Sequence, residues 1–153
     1  MDPQKKKERY ERLYHQLQEL VAKPGDLESR MSTIIAVLHH HMKDFFWTGF
    51  YLLKNGKLIV QTYQGPLACQ VLDENKGVCW AAINQQKTIV VPDVHQFPGH
   101  IACDSRSNSE IVVPLRNSQN EIIGVLDVDS NQLNSFDETD AESLEKILTL
   151  LSA

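Results

Sequence analysis

Apolar residues recur every three or four positions along the first part of the chain, and this period predicts two amphipathic helices. The first runs from about residue 4 to residue 22 and ends before the helix-breaking sequence Pro24-Gly25-Asp26. Its apolar positions are Tyr10, Leu13, Tyr14, Leu17, Leu20 and Val21. Those of the second helix are Met31, Ile34, Ile35, Leu38 and Met42. The two apolar stripes either pack against each other or form the seam of a dimer.

The period changes to two after Phe45, which predicts β-strands. Residues 46–53 and 58–63 are rich in aromatic and β-branched residues, and Lys54-Asn55-Gly56-Lys57 joins them. Because Asn-Gly adopts the turn that matches the twist of two antiparallel strands, these residues predict a tight β-hairpin.

Short apolar runs separated by polar segments continue through the second half of the chain. They predict a helix over 77–84, a strand over 88–92, a long polar loop over 93–109, and strands over 110–115 and 121–129. A sequence typical of a capping box, from Ser135 to Glu138, opens a last helix. Since hairpin-like links dominate, the predicted fold class is α+β, an antiparallel sheet with the N- and C-terminal helices packed on one face.

The composition is typical of a single globular domain, with 153 residues of which 42% are hydrophobic and 23% charged. No apolar run approaches the roughly 20 residues that cross a bilayer, and the first residues lack the apolar core of a signal peptide. These features predict a cytoplasmic protein without membrane contact. The net charge of −5 disfavours nucleic acid as a partner, because binding phosphates requires an extended basic surface.

The chain has three cysteines, Cys69, Cys79 and Cys103, an odd number that does not fit a structural disulfide framework in a reducing compartment. Thiol chemistry, a metal site and simple core packing all remain open. Cys103 lies in a polar loop, and Glu110 follows where the next strand begins, so a thiol and an acid are expected near each other at a strand edge. The alternative is a surface loop with an incidentally buried cysteine.

Two aspartates alternate with apolar residues in the strand 121–129, although aspartate is disfavoured in strands. Asp127 and Asp129 therefore share one face of the strand. If that face lines a cavity together with Glu110, the three carboxyl groups raise each other's pKa, so one can stay protonated while the others bind a cation. The alternative is a solvated outer face.

Trp47, Gly49 and Tyr51 also share one strand face by their spacing. Two aromatic walls over a floor without a side chain suit a small ligand with a methyl-sulfur or ammonium group. Ordinary core packing is the competing interpretation. A zinc site is conceivable, since His95, His100 and Cys103 lie close in sequence and residues 39–41, three consecutive histidines, could approach them. No CxxC or HExxH spacing supports it, so no metal site is expected.

Five segments together resemble one known family, the free methionine-(R)-sulfoxide reductases, which are stand-alone GAF domains. They are Gly77-Val78-Cys79, Val91-Pro92-Asp93-Val94-His95, Gly99-His100-Ile101-Ala102-Cys103-Asp104, Ser109-Glu110-Ile111-Val112-Val113-Pro114 and Ile123-Gly124-Val125-Leu126-Asp127-Val128-Asp129-Ser130. The resemblance covers roughly residues 31–150 and implies a GAF-like fold. We expect an N-terminal helical extension over residues 1–25 and a GAF catalytic domain over 26–153.

The resemblance implies reduction of free L-methionine (R)-S-oxide to L-methionine, a repair reaction after oxidative stress that needs no cofactor. Cys103 matches the catalytic cysteine, which attacks the sulfoxide sulfur and is left as a sulfenic acid. Cys69 matches the resolving cysteine, which closes an intramolecular disulfide that thioredoxin or a similar dithiol reduces. Cys79 matches a third family cysteine, either an auxiliary resolver or a part of the pocket.

The resemblance also assigns the substrate contacts. Glu110, Asp127 and Asp129 match the acids that hold the amino group and assist protonation of the sulfoxide oxygen, and Trp47 and Tyr51 match the aromatic walls. The chain departs from the family pattern at Trp80, where glycine is expected after the third cysteine. A bulky ring there could reposition Cys79.

Two other functions compete with the reductase. One is a GAF module that senses a small molecule without chemistry, and the other is a thiol redox sensor that signals through a disulfide between Cys69 and Cys103. Turnover of methionine sulfoxide separates the enzyme from both.

Overall fold

A computed structural model describes residues 2–100 and 103–152 of the chain. Both predicted N-terminal helices are present, α1 over Pro3–Val21 and α2 over Leu27–His41. Asp26 begins α2 with a capping box, since its side chain accepts from the Ser29 backbone while the Ser29 hydroxyl accepts from the Asp26 backbone. Pro24 and Gly25 thus separate two helices, each of which has an aspartate as its N-cap.

The last helix, α4 over Glu138–Leu148, begins two residues later than predicted. Its N-cap is Asp137, whose side chain accepts from the backbone N–H groups of Thr139 and Asp140. Ser135 instead hydrogen-bonds the hydroxyl of Ser130, the last residue of the preceding strand. The prediction that Ser135 and Glu138 form the box was wrong, because Asp137 and Asp140 offer the same spacing with stronger acceptors. A short helix, α3 over Gly77–Gln85, carries Cys79 as predicted.

The six strands form one sheet in which every neighbouring pair is antiparallel, in the order β3-β2-β1-β6-β5-β4. They span Trp47–Lys54 (β1), Lys57–Gln64 (β2), Val71–Leu72 (β3), Ile89–Val91 (β4), Ser109–Arg116 (β5) and Ile122–Ser130 (β6). Asn55 and Gly56 connect β1 to β2 with φ angles of 53° and 77°, the left-handed values that a type I′ hairpin requires. The predicted α+β class is therefore confirmed.

The two faces of the sheet bury different clusters. Residues of α1, α2 and α4, including Leu17, Ile35 and Leu144, pack on one face. On the other face α3 packs over β4, β5 and β6 with Val78, Trp80 and Ala82. The apolar stripe of α1 is buried within this chain against α2 and α4. The division at residue 25 stays a prediction, although α1 shares this core. Among the described residues, no helix is long and apolar enough to cross a membrane.

Candidate active site

A cavity of about 60 Å³ opens on the face of the sheet that α3 covers. Because a water molecule needs roughly 10–15 Å³ on this measure, the space holds several waters or a small molecule. Seven of the eight residues that the sequence singled out line it, and the eighth, Cys69, is bonded to one of them. The lining residues are Trp47, Tyr51, Pro66, Leu67, Ala68, Leu72, Lys76, Gly77, Val78, Cys79, His100, Cys103, Asp104, Ser107, Glu110, Asp127 and Asp129.

The strand register brings the three carboxyl groups together. Glu110 on β5 lies directly opposite Asp129 on β6, and Asp127 is two residues further along the same face. Glu110 and Asp127 are each only 6% exposed, and Asp129 is half-buried. The carboxyl groups therefore face the cavity and do not form a solvated outer surface.

Burial sets the charge of this cluster. Burial is the main reason that the pKa of Glu110 lies well above its usual value, and the charges of Asp127 and Asp129 raise it further. Burial also raises the pKa of Asp129 well above its usual value, and the charge of Asp127 adds to the rise while a hydrogen bond with Glu110 opposes it. Burial also raises the pKa of Asp127, but hydrogen bonds from Glu110 and Cys79 oppose that rise. Burial and mutual repulsion therefore favour the protonated form of at least one of these three carboxyl groups.

Cys79 is a buried thiol in the first turn of α3, with 4% of its surface exposed. Burial raises its pKa well above the usual value, and the charges of Asp127 and Glu110 raise it further. Because the thiolate is the nucleophile, a thiol of this kind is unreactive. Cys79 is the free cysteine of the structure, and its neighbour Trp80 packs into the core and does not line the cavity.

The aromatic wall is a stack of three rings. Trp47 stacks with Tyr51 at 5.8 Å between ring centroids and with Tyr63 at 5.3 Å. Gly49 makes this possible, since a Cβ there would lie 2.4 Å from Cη2 of Trp47. The Tyr51 hydroxyl donates to the backbone carbonyl of Cys69 at 3.2 Å, which connects the wall to the cysteine segment.

Tyr63 is a residue that sequence reasoning missed. A regular hairpin from Asn55-Gly56 pairs Gly49 with Thr62, but a β-bulge between Gly49 and Tyr51 shifts the register so that Gly49 faces Tyr63. No local sequence signal marks the bulge.

Cys69 and Cys103 form a disulfide whose Cα atoms are 5.5 Å apart. The bond joins the segment after β2 to the long loop before β5. Gly65 at the start of the first segment has φ +121°, and a Cβ there would lie 2.6 Å from the Phe46 carbonyl oxygen. The segment therefore depends on glycine to pass so close to β1.

The long loop that carries Cys103 is held by polar contacts that the sequence did not indicate. Asn108 bonds the Ser130 carbonyl through its backbone N–H, the Asn131 carbonyl through its side-chain amide and His95 through its side-chain oxygen. Arg106 forms a two-pronged pair with Asp104, and these hydrogen bonds lower the pKa of Asp104 to about 2. Ile101, which the sequence placed inside this loop, lies outside the described residues.

The groups that can hold a metal ion differ from those weighed in the sequence. Within residues 2–100 and 103–152, the ligand-type cluster consists of Cys79, Glu110 and Asp127. The rings of His95 and His100 lie edge to face with their centroids 6.3 Å apart, and of the two only His100 lines the cavity.

Comparison with known proteins places the chain among its relatives. The family described as "GAF domain" matches residues 25–153. The chain is 48% identical to "GAF domain-containing protein A" of Dictyostelium discoideum over 147 residues, which are 95% of this chain and 92% of the relative. It is 38% identical to the free methionine-R-sulfoxide reductase of Escherichia coli over 146 residues, 95% of this chain and 88% of that protein.

Among solved structures, the free methionine-R-sulfoxide reductase of Neisseria meningitidis in complex with its substrate superimposes with a TM-score of 0.89 and 41% identity. The match covers 94% of this chain and 86% of that one. The resemblance noted in the sequence is thus confirmed over nearly the whole chain. The protein belongs to the GAF domain family and, within it, to the free methionine-R-sulfoxide reductases.

Proposed function

We propose that the protein is an oxidoreductase that reduces free L-methionine (R)-S-oxide to L-methionine. One observation carries this proposal: a pair of cysteines whose thiols supply two electrons when they form their disulfide borders the cavity in which three carboxyl groups converge. Related proteins of this fold are named for the reaction.

The proposed first step uses Cys103 and a protonated acid. The Cys103 thiolate attacks the sulfoxide sulfur while Glu110 or Asp129 transfers a proton to the oxygen, which is a poor leaving group until protonated. The attack forms a temporary bond between the two sulfur atoms. The hydroxyl group then passes from the substrate sulfur to the Cys103 sulfur as the S–O bond and that S–S bond break, so methionine leaves with the S–S electron pair and Cys103 is left as a sulfenic acid. Burial, which keeps these acids protonated, supports the assignment.

The second step uses Cys69. Its thiol attacks the sulfenic sulfur, the S–S bond forms and water leaves. The disulfide between Cys69 and Cys103 in the structure supports this pairing. A dithiol reductant then exchanges twice with the disulfide and restores both thiols, and we propose thioredoxin or a similar protein for this role. Such a reductant is consistent with the expected cytoplasmic location.

The remaining residues bind the substrate in this proposal. The Asp127 carboxylate receives the ammonium group, which accounts for a preference for the free amino acid, since a peptide nitrogen carries no charge. Trp47 and Tyr51 enclose the methyl-sulfur end. Cys79 contributes to the pocket wall beside Asp127, and its burial argues against a role as resolver. A homodimer stays a prediction, but the helix stripes no longer support it, because they pack against each other within this chain.

The test is thioredoxin-coupled NADPH consumption with each sulfur epimer of free methionine sulfoxide, for the wild type and Cys103→Ser. We expect turnover of the R epimer alone, and its loss in Cys103→Ser. Without reductant, one equivalent of substrate should leave one free thiol of the three. No turnover of either epimer by folded, reduced protein would refute the enzyme. Disulfide formation with peroxide in that case would favour a redox sensor.

A further inference from the structure

Cys79, Glu110 and Asp127 bring three metal-ligating atoms to one point of the cavity. The thiol sulfur and one oxygen of each carboxyl group all lie within 4.8 Å of one another. Each residue is more than nine-tenths buried, with 4%, 6% and 6% of its surface exposed. They belong to three different elements, α3, β5 and β6, so the fold as a whole brings them together.

A second observation points to a cation. Oδ1 of Asp127 is buried and accepts no hydrogen bond from any residue that the structure describes. Because a buried carboxylate oxygen without a partner is costly, this atom requires a positively charged or hydrogen-bonding ligand in the cavity. The substrate's ammonium group meets that need in the proposed reaction, and the atom is open to other cations when substrate is absent.

The donor set selects the kind of cation. One sulfur and two carboxylate oxygens suit a borderline-soft divalent ion such as Zn²⁺, whereas Mg²⁺ and Ca²⁺ prefer oxygen ligands alone. Neighbouring ligands of a tetrahedral Zn²⁺ are about 3.5 Å apart, so a contraction of about 1 Å brings these side chains onto one ion. A water molecule or Asp129, which lines the same cavity, completes the coordination.

We propose that Cys79, Glu110 and Asp127 bind a thiophilic divalent cation, with Zn²⁺ as the prime example, where the substrate's ammonium group is received, and that the ion thereby inhibits the reductase. The inhibition rests on the proposed function, and the binding does not. The ion acts as an inhibitor and not as a cofactor. The spacing of histidines and cysteines in the sequence did not indicate this site. The disulfide leaves Cys79 free, so the site persists in the oxidised protein.

The experiment is a Co²⁺ titration of the oxidised protein, followed by the thiolate-to-cobalt charge-transfer band and by displacement with Zn²⁺. We expect the band in the wild type, its loss in Cys79→Ser, and roughly tenfold or greater weakening of Co²⁺ binding in Asp127→Asn. Asp104→Asn is the matched control, because Asp104 also lines the cavity but is paired with Arg106. Its cobalt affinity should equal that of the wild type.

Either of two results would overturn the site: no charge-transfer band in wild-type protein whose fold is verified by circular dichroism, or a band that survives in Cys79→Ser. The overlap with substrate is tested separately by adding methionine sulfoxide, which the oxidised protein cannot reduce. We expect it to raise the Co²⁺ concentration at half-saturation, and an unchanged value would overturn the inhibition. Failure of the coupled reductase assay, in contrast, leaves the cobalt band unaffected and refutes only the proposed reaction.

Discussion

At the scale of single residues, the aromatic wall of the cavity depends on the absence of a side chain at Gly49. A Cβ at this position would lie 2.4 Å from the Trp47 ring and 2.5 Å from Cβ of Tyr63. Contacts that short do not occur, so the ring of Trp47 would have to move. The sequence indicated that Gly49 and Trp47 share a face. It did not indicate Tyr63, whose ring stacks on Trp47 because the bulge shifts the strand register.

We predict that Gly49→Ala raises KM for methionine sulfoxide and lowers the free energy of unfolding by about 1–3 kcal/mol, the usual cost of overpacking. Urea denaturation and steady-state kinetics measure the two effects.

Gly56→Ala is the matched control for Gly49→Ala. Nothing lies within 4 Å of a Cβ at Gly56, but its φ of 77° imposes a strain of roughly 1–2 kcal/mol on alanine. It should lose stability and keep its KM. An unchanged KM in Gly49→Ala would contradict the placement of Trp47 against the substrate.

At the scale of elements, α1 is joined to the start of α4 by a buried polar cluster. Lys6 Nζ lies 2.7 Å from Oδ2 of Asp140 and 3.6 Å from Oδ2 of Asp137, and the Tyr10 hydroxyl donates to Oδ1 of Asp140. Lys6 is 8% exposed, although the sequence shows it only as the middle of three consecutive lysines. Which of the three points inward follows from the position of Asp140 on a helix more than 130 residues away.

We predict that Lys6→Met lowers the free energy of unfolding by about 3–5 kcal/mol, because the mutation leaves Asp140 buried without its cation. Lys5→Met, on the exposed side of the same turn, should change it by less than about 0.5 kcal/mol. Equal effects of the two mutations in urea denaturation would show that the cluster adds nothing beyond surface charge.

The cap of α4 gives a prediction about acid stability. Burial raises the pKa of Asp137, but the charge of Lys6 and hydrogen bonds from Asp140 and Thr139 lower it more, so the net shift is downward from 3.8. A group whose pKa is lower in the folded protein stabilises it at pH values above the pKa of the unfolded state. This stabilisation is lost as the pH falls through the pKa of the folded state. Between about pH 5 and pH 3, the free energy of unfolding should therefore fall less for Asp137→Asn than for the wild type. Equal decreases in the free energy of unfolding of the two proteins over this pH range would contradict this prediction.

At the scale of the whole molecule, the cavity lies on one face of the sheet and three helices support the other. α1 contributes Tyr10, Leu13 and Leu17 to that supporting core, each at most 4% exposed. The sequence predicted an extension over residues 1–25 and a domain over 26–153. This division implies that the domain folds without the extension, which can be tested directly.

We predict that deletion of residues 1–22 lowers the urea midpoint sharply or causes aggregation, because it uncovers the apolar surfaces of α2 and α4. Leu17→Ala in the full chain should cost about 2–5 kcal/mol, while Gln16→Ala, which is exposed, should have little effect. A truncated protein of unchanged stability would support the division and show that α1 is a separable addition.

The sequence by itself determined the helices, the main strands and the shared face of Asp127 and Asp129, because periods of two and 3.6 are local properties of the backbone. Its resemblance to the free methionine-(R)-sulfoxide reductases also implied Cys69 and Cys103 as partners.

Only the tertiary structure decided the bulge that brings Tyr63 behind Trp47, the inward position of Lys6 and the approach of Cys79 to Glu110 and Asp127. These features depend on contacts between residues far apart in the chain, and on burial that removes water from specific carboxyl groups. The charge and ligands of the cavity follow from those contacts, which no local pattern contains.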